Sequence, residues 1–140
     1  MASAEAALVA LLTTGSPNPV ADLVAARVYP DALPLGVLYP AIRYQRISTA
    51  RFQYRKIATG TGDYAKPRFQ IDCFAATKAG ALALSDAVRA QLDGYSGISA
   101  TVSIGSAALE DEASDIEQGA GTGGSNIFRH RLDYLIGHAE

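Results

Sequence analysis

The 140-residue chain has no tryptophan, one methionine, one cysteine and two histidines. One thiol closes no intrachain disulfide, so the fold rests on its own core rather than on covalent staples. With so few thiols and imidazoles there is neither a pair of cysteines nor an HExxH helix to build a dedicated zinc site. A run of about 20 apolar residues, the length that crosses a bilayer, is also missing. The N-terminal stretch MASAEAALVALLTT is shorter than that and has no basic leader, which argues against a membrane span and a secretion signal. Nor does one sign of charge dominate. Lys and Arg number 12, Asp and Glu 14, and the formal net charge of −2 gives no global pull toward nucleic acid.

Catalytic patterns are equally scarce. The glycine-rich run Gln118 to Ser125 has no GK[ST] and does not lead from a strand into a helix, so it reads as a hairpin connection or mobile loop rather than a phosphate cradle. The serines lack a nucleophile-elbow setting. Cys73 falls on an inward strand face as a small hydrophobe, and Asp72 on the opposite, solvent face. His130 lies on the apolar face of a strand, as a core or interface histidine does, and His138 reads as part of a frayed tail. No nucleophile, base and orienting group can be grouped from these residues, so no enzyme, cofactor or metal is expected.

What the chain does have is a central segment, Lys66 to Gly94, that reads as a strand feeding a helix. Phe69, Ile71 and Cys73 alternate with Arg68, Gln70 and Asp72, the period of a half-buried strand. Thr77 is placed to cap the helix that follows, Ala81, Leu84, Val88 and Leu92 recur on one helical face, and Gly94 supplies the stop. Ahead of it come a short N-terminal helix capped by Ser3, a Gly-Ser-Pro-Asn-Pro turn, one or two helical turns over Val20 to Ala26, a short extended Arg27 to Pro30, and a strand over Leu38 to Ser48. After it, Ile98 to Ile104 alternates as one strand, an acidic stretch follows from Glu110 to Glu117, and Asn126 to Gly137 forms the last strand. The expectation is one domain over residues 1–140. Its class is α+β, a mostly antiparallel sheet with one main helix on one face and a short N-terminal helix. Mobile loops are expected near 49–65 and 113–125; the first half of the former could instead extend the preceding strand as one arm of a hairpin with Gly60-Thr61-Gly62-Asp63 at its tip.

Two charged stretches remain. Arg43, Arg46, Arg51, Arg55 and Lys56 interleave with Tyr44, Phe52 and Tyr54, a composition suited to a wet protein interface or to phosphates and bases. Glu110, Asp111, Glu112 and Asp115 form a stretch of the opposite sign. Together they suggest a head-to-tail contact between subunits that closes a ring, weakened by charge reversal at Arg51 and Arg55 and partly restored by reversal at Glu110 and Glu112. Arg129 and Arg131 occupy the polar face of the last strand, pointing either to a lumen or to solvent.

The blocks VYPDALPLG, YPAIRYQRIS and FQIDCFA leading into ALSDAVRAQLDG, with the final FRHRLDYLIGH, resemble the DUF3168 family of tailed phages and prophages, the tail completion or tail terminator proteins that join head to tail. The resemblance runs from Glu5 to His138. It implies a structural virion protein that forms a ring, hexameric in the family, on the head-proximal end of a non-contractile tail tube. Its implied partners are further copies of itself, the tail tube protein and a neck or stopper protein. DNA would pass through the lumen without sequence readout, and assembly would take place in the host cytoplasm. A gene transfer agent would use the same component. A neck or stopper protein is the nearest alternative, and a nucleic-acid-binding module using Arg43 to Lys56 a more distant one.

Overall fold

A computed structural model describes residues 3–52, 64–119 and 121–139. Three helices and six strands follow in the order α1 (Ala4–Thr13), α2 (Pro19–Val24), β1 (Val28–Pro30), β2 (Ala41–Phe52), β3 (Tyr64–Ala75), α3 (Lys78–Leu92), β4 (Gly97–Ser99), β5 (Val102–Glu117) and β6 (Ile127–Ala139). The strands form one sheet in the order β1-β2-β3-β6-β5-β4. Every neighbouring pair is antiparallel except the short parallel contact of β1 with β2. The α+β class expected from the alternation of the strands is the one observed.

Local chemistry explains the helix ends. Ser3 Oγ accepts from the Ala6 N–H at 3.2 Å and Thr77 Oγ1 from the Gly80 N–H at 3.0 Å, each meeting a donor that the first helical turn leaves unpaired. Asn18 does more than tolerate a turn. Its Oδ1 caps α2 through the N–H groups of Val20 and Ala21, while its Nδ2 donates to the Thr14 carbonyl at 2.7 Å, tying the end of α1 to the start of α2. Gly94 follows α3 at φ 71°, a left-handed position open to glycine without a Cβ clash.

One face of the sheet carries the core. Ile42 and Tyr44 of β2, Phe69, Ile71 and Cys73 of β3, and Leu132, Tyr134 and Ile136 of β6 pack under Leu8 and Leu12 of α1 and Leu84, Val88 and Leu92 of α3. The buried Tyr134 hydroxyl donates to Asp93 Oδ1 at 2.5 Å, just past the end of α3, so the core's largest polar side chain is satisfied.

Several expectations need correction. Ile98 to Ile104 is not one strand: Ala100 and Thr101 take positive φ of 47° and 66° and turn the chain back between β4 and β5. Ser99 is therefore buried, donating to the Ala7 carbonyl at 2.9 Å, while Ile98 is exposed. The acidic stretch is strand throughout, because β5 runs on to Glu117 beside β6. The start of the 49–65 segment does extend the preceding strand as a hairpin arm, Thr49–Phe52 pairing with β3 up to Phe52↔Tyr64, so Thr49–Phe52 and Tyr64–Ala65 are strand and not mobile loop. Loop expected at 113–125 begins only after Glu117 and contains a 3₁₀ turn at Thr122–Gly124. His138 is a buried strand residue rather than tail, since β6 pairs with β3 up to Tyr64↔Ala139. Asp72 is buried as well, for reasons given below.

Candidate subunit interface

Ionic pairs cover the sheet face opposite the helices. Arg43 of β2 grips Asp72 of β3 through Nε, at 3.0 Å, and Nη2, and its guanidinium lies 5.3 Å from the centre of the Phe74 ring. Gln70 Nε2 adds donation to both Asp72 oxygens at 3.2 Å. These partners account for a carboxylate that is only 1% exposed. Further along, Arg68 meets Asp133 at 3.0 Å. Arg129 pairs with Asp115 and lies 3.6 Å from Glu117. The Ile116 backbone N–H, and after it the Arg129 guanidinium, hold the Asp115 carboxyl below the usual carboxylate range.

These contacts reassign several of the residues singled out by charge. Arg43 and Arg46 are committed within the chain: Arg46 binds Glu5 of α1 through Nε at 2.6 Å, reaches Thr49 Oγ1 at 3.0 Å, and stacks 5.4 Å from the Phe69 ring centre. Arg51 is an exposed strand residue near the end of β2, with Phe52 next to it in the strand. Tyr54, Arg55, Lys56 and the Gly60-Thr61-Gly62-Asp63 tip lie outside the described residues. Glu110, Asp111 and Glu112 are exposed on β5. Arg129 is engaged with Asp115, and Arg131 stands half-buried at the register position between Asp72 and Ala113.

The basic and acidic stretches do not meet inside the molecule. β3 and β6 separate β2 from β5, a distance of three strand spacings or about 14 Å. Each stretch lies instead along an open edge. β1 covers β2 only at Ile42 to Tyr44, and β4 covers β5 only at Val102 to Ile104. Among the described residues no strand pairs with the outer side of β2 beyond Tyr44 or of β5 beyond Ile104. The signal that could have located these edges was the length mismatch between the short segments and their long neighbours, but the sequence did not show which strands were adjacent.

A groove of about 320 Å³ opens on the helix side between α3 and the outer half of β5, lined by Lys78, Ala81, Leu82, Ile116, Phe128 and His130. Sequence reading missed a contact on its wall: Ser114 Oγ lies 2.9 Å from His130 Nδ1, and Glu112 Oε2 lies 3.8 Å from His130 Nε2. The carboxylate stands beyond hydrogen-bond reach, so the three do not form a nucleophile, base and orienter relay. Burial, followed by the nearby Asp72 charge, pushes the Cys73 thiol far up, which makes it inert as a nucleophile. Among the described residues no group of three or more His, Cys, Asp or Glu could hold a metal ion, and no helix is long and apolar enough to cross a membrane.

A single α+β sheet carries helices on one face and ion pairs on the other, with the outer sides of β2 beyond Tyr44 and β5 beyond Ile104 unpaired by any strand among the described residues. The family model for tail completion protein gp17 matches residues 6–134, and the chain belongs to that family. Its role is accordingly that of a structural tail protein. The fold is similar to that of a chain in the virion of a native gene transfer agent particle, with a TM-score of 0.71 at 20% identity, covering 99% of this chain and 96% of that one. No curated protein matches it.

Proposed function

We propose that this protein caps the head-proximal end of a tail tube as a closed ring of identical subunits, ends tube growth and presents a docking surface to the neck. The observation that carries the reading is the pair of open sheet edges, one on β2 and an acidic one on β5, which suits a heterologous contact able to close on itself. Membership of the tail completion family supports the structural role, and a ring of six is the size that the family resemblance implies. In this reading DNA passes through the lumen without sequence readout, the tube protein and a neck protein are the other partners, and assembly takes place in the host cytoplasm.

A nucleic-acid module built on the 43–56 stretch is the weaker reading, because Arg43 and Arg46 are already neutralised by Asp72 and Glu5. Electron microscopy of particles made without this protein tests the proposal. Tails of abnormal length, or finished tubes without heads, are the expected result. Normal tails beside unjoined capsids would move the protein to the neck, and normal particles would overturn the tail role.

A further inference from the structure

The backbone geometry of the two open edges fixes how they can meet. On β2, the Ile42 N–H donates to Arg27 and the Tyr44 carbonyl accepts from Asp31, so the even-numbered residues present their backbone groups to the outer edge. A bulge between Arg46 and Ser48 inserts one residue and moves the outward positions to Thr49 and Arg51. On β5 the outward Ala107 carbonyl accepts from the Gly94 N–H at 3.0 Å. Counting on through the bulge between Leu109 and Asp111 brings Glu112, Ser114 and Ile116 to the outer edge.

We propose that neighbouring copies join by strand addition, the open edge of β2 from one copy pairing antiparallel with the open edge of β5 from the next. The register sets Arg51 opposite Glu112 and Thr49 opposite Ser114. This rests on the ring reading above and names its contact. Direction agrees: β2, β3, β6 and β5 alternate, so continuing the sheet places a neighbour's β2 antiparallel to β5. Side-chain faces agree too. Arg51 shares a face with its partner Ala65 and with Phe69, and Ser114 shares that helix-side face through His130.

Charge selects this junction over its competitors. Pairing β5 with a second β5 would line up Glu110, Asp111, Glu112, Asp115 and Glu117 against themselves. Acidic edges of this kind commonly keep a strand from self-pairing. Here the same charges reject the two-fold β5 pairing and favour the head-to-tail one.

In this register Ala50 and Ala113 form a non-hydrogen-bonded pair with Cα atoms about 4.5 Å apart, within disulfide reach. The test uses the full chain carrying Ala50→Cys and Ala113→Cys, assembled on tail tubes, oxidised and run on non-reducing gels, with assembly followed by native mass spectrometry. A ladder of covalent oligomers from the double variant, and none from either single variant, is expected. A second variant, Thr49→Pro, removes an N–H that points outward from the β2–β3 ladder. It is expected to weaken association at least tenfold while moving the urea midpoint of the monomer no further than Thr49→Val, which loses the same Arg46 hydrogen bond and keeps the N–H. Covalent dimers from Ala113→Cys alone would show a two-fold β5 contact and overturn the proposal. Intact rings that neither crosslink nor respond to Thr49→Pro would overturn strand addition and leave the ring reading standing. Failure of the unmodified chain to assemble would overturn both.

Discussion

The Arg43–Asp72 pair allows a test in which the two halves of one ion pair have unequal effects. Asp72 is 1% exposed and Arg43 23% exposed by side chain, so removing either partner strands a charge in a different environment. Arg43→Ala leaves a buried carboxylate whose remaining hydrogen-bond donor among the described residues is the Gln70 amide, at 3.2 Å, and removes the guanidinium that covers the Phe74 ring. An uncompensated buried charge costs about 3–5 kcal/mol. Asp72→Ala leaves an arginine that still reaches water and Phe74, and the expected loss is smaller, about 1–3 kcal/mol. The double variant strands neither charge. It should lose about 1–3 kcal/mol less than the sum of the singles. Urea denaturation of the four proteins, fitted with a common slope, measures all three quantities. Equal losses for the two singles, or a double variant at the additive value, would refute the account of this face as an ion-paired layer. The same experiment bears on assignment by charge, because Arg43 would act through the fold and not through a partner.

Two further predictions follow from close approach and from burial. A Cβ on Gly137 would collide with Tyr64 Oη and stand 2.8 Å from Ser106 Oγ, so Gly137→Ala should cost about 1–3 kcal/mol of stability, with most of that recovered when Tyr64→Ser is added; a loss unchanged in the double variant would place the strain elsewhere. Cys73 and Tyr134 both have folded pKa values raised by burial, Tyr134 also by Asp93, so each favours the folded state fully below its unfolded value and progressively less above it. Stability should therefore decline from about pH 8.5 upward at roughly 1.4 kcal/mol per unit for the thiol, with the phenol adding to the slope above about pH 10. Urea midpoints at pH 7.5, 9 and 10 check it, and Cys73→Ala should flatten the first part of the decline; a flat profile in the unmodified chain would refute it.

Much of the fold could be read from the sequence where one residue's chemistry decides a local outcome. Ser3, Thr77 and Gly94 mark helix ends because a cap needs only its own turn, and the alternation of β3 and β6 shows because half of each strand faces the core. The failures share a cause. Ala100 and Thr101 form a tight two-residue turn without the glycine or asparagine that usually signals one, and the exposed Ile98 made an apolar alternation run on across it, although the turn puts Ser99, not Ile98, on the buried face with Val102. Glu110 to Glu117 has poor intrinsic strand preference, yet it pairs with β6, where Arg129 stands opposite Asp115 and His130 opposite Ser114. That compensation lies on a different strand and could not be seen along the chain. Asp72 was misplaced for the same reason, since its partner Arg43 is 29 residues away.

Charge composition singled out both charged stretches but could not distinguish charges used in folding from the rest. The structure makes that separation by depth in the sheet. Arg43, Arg68 and Arg129 lie on a sheet face and are met by Asp72, Asp133 and Asp115, whereas Glu110, Asp111 and Glu112 project from the outer half of an edge strand. A carboxylate on an open edge repels its own copies and stays hydrated until a cationic edge arrives. An edge of this design stays unpaired in the free subunit without being blocked. The acidic side chains would then set the choice of partner and the outward backbone groups would supply the ladder, which is why a proline at Thr49 and a charge reversal at Glu112 should impair assembly through different steps: proline by speeding dissociation, charge reversal by slowing association and lowering its sensitivity to salt.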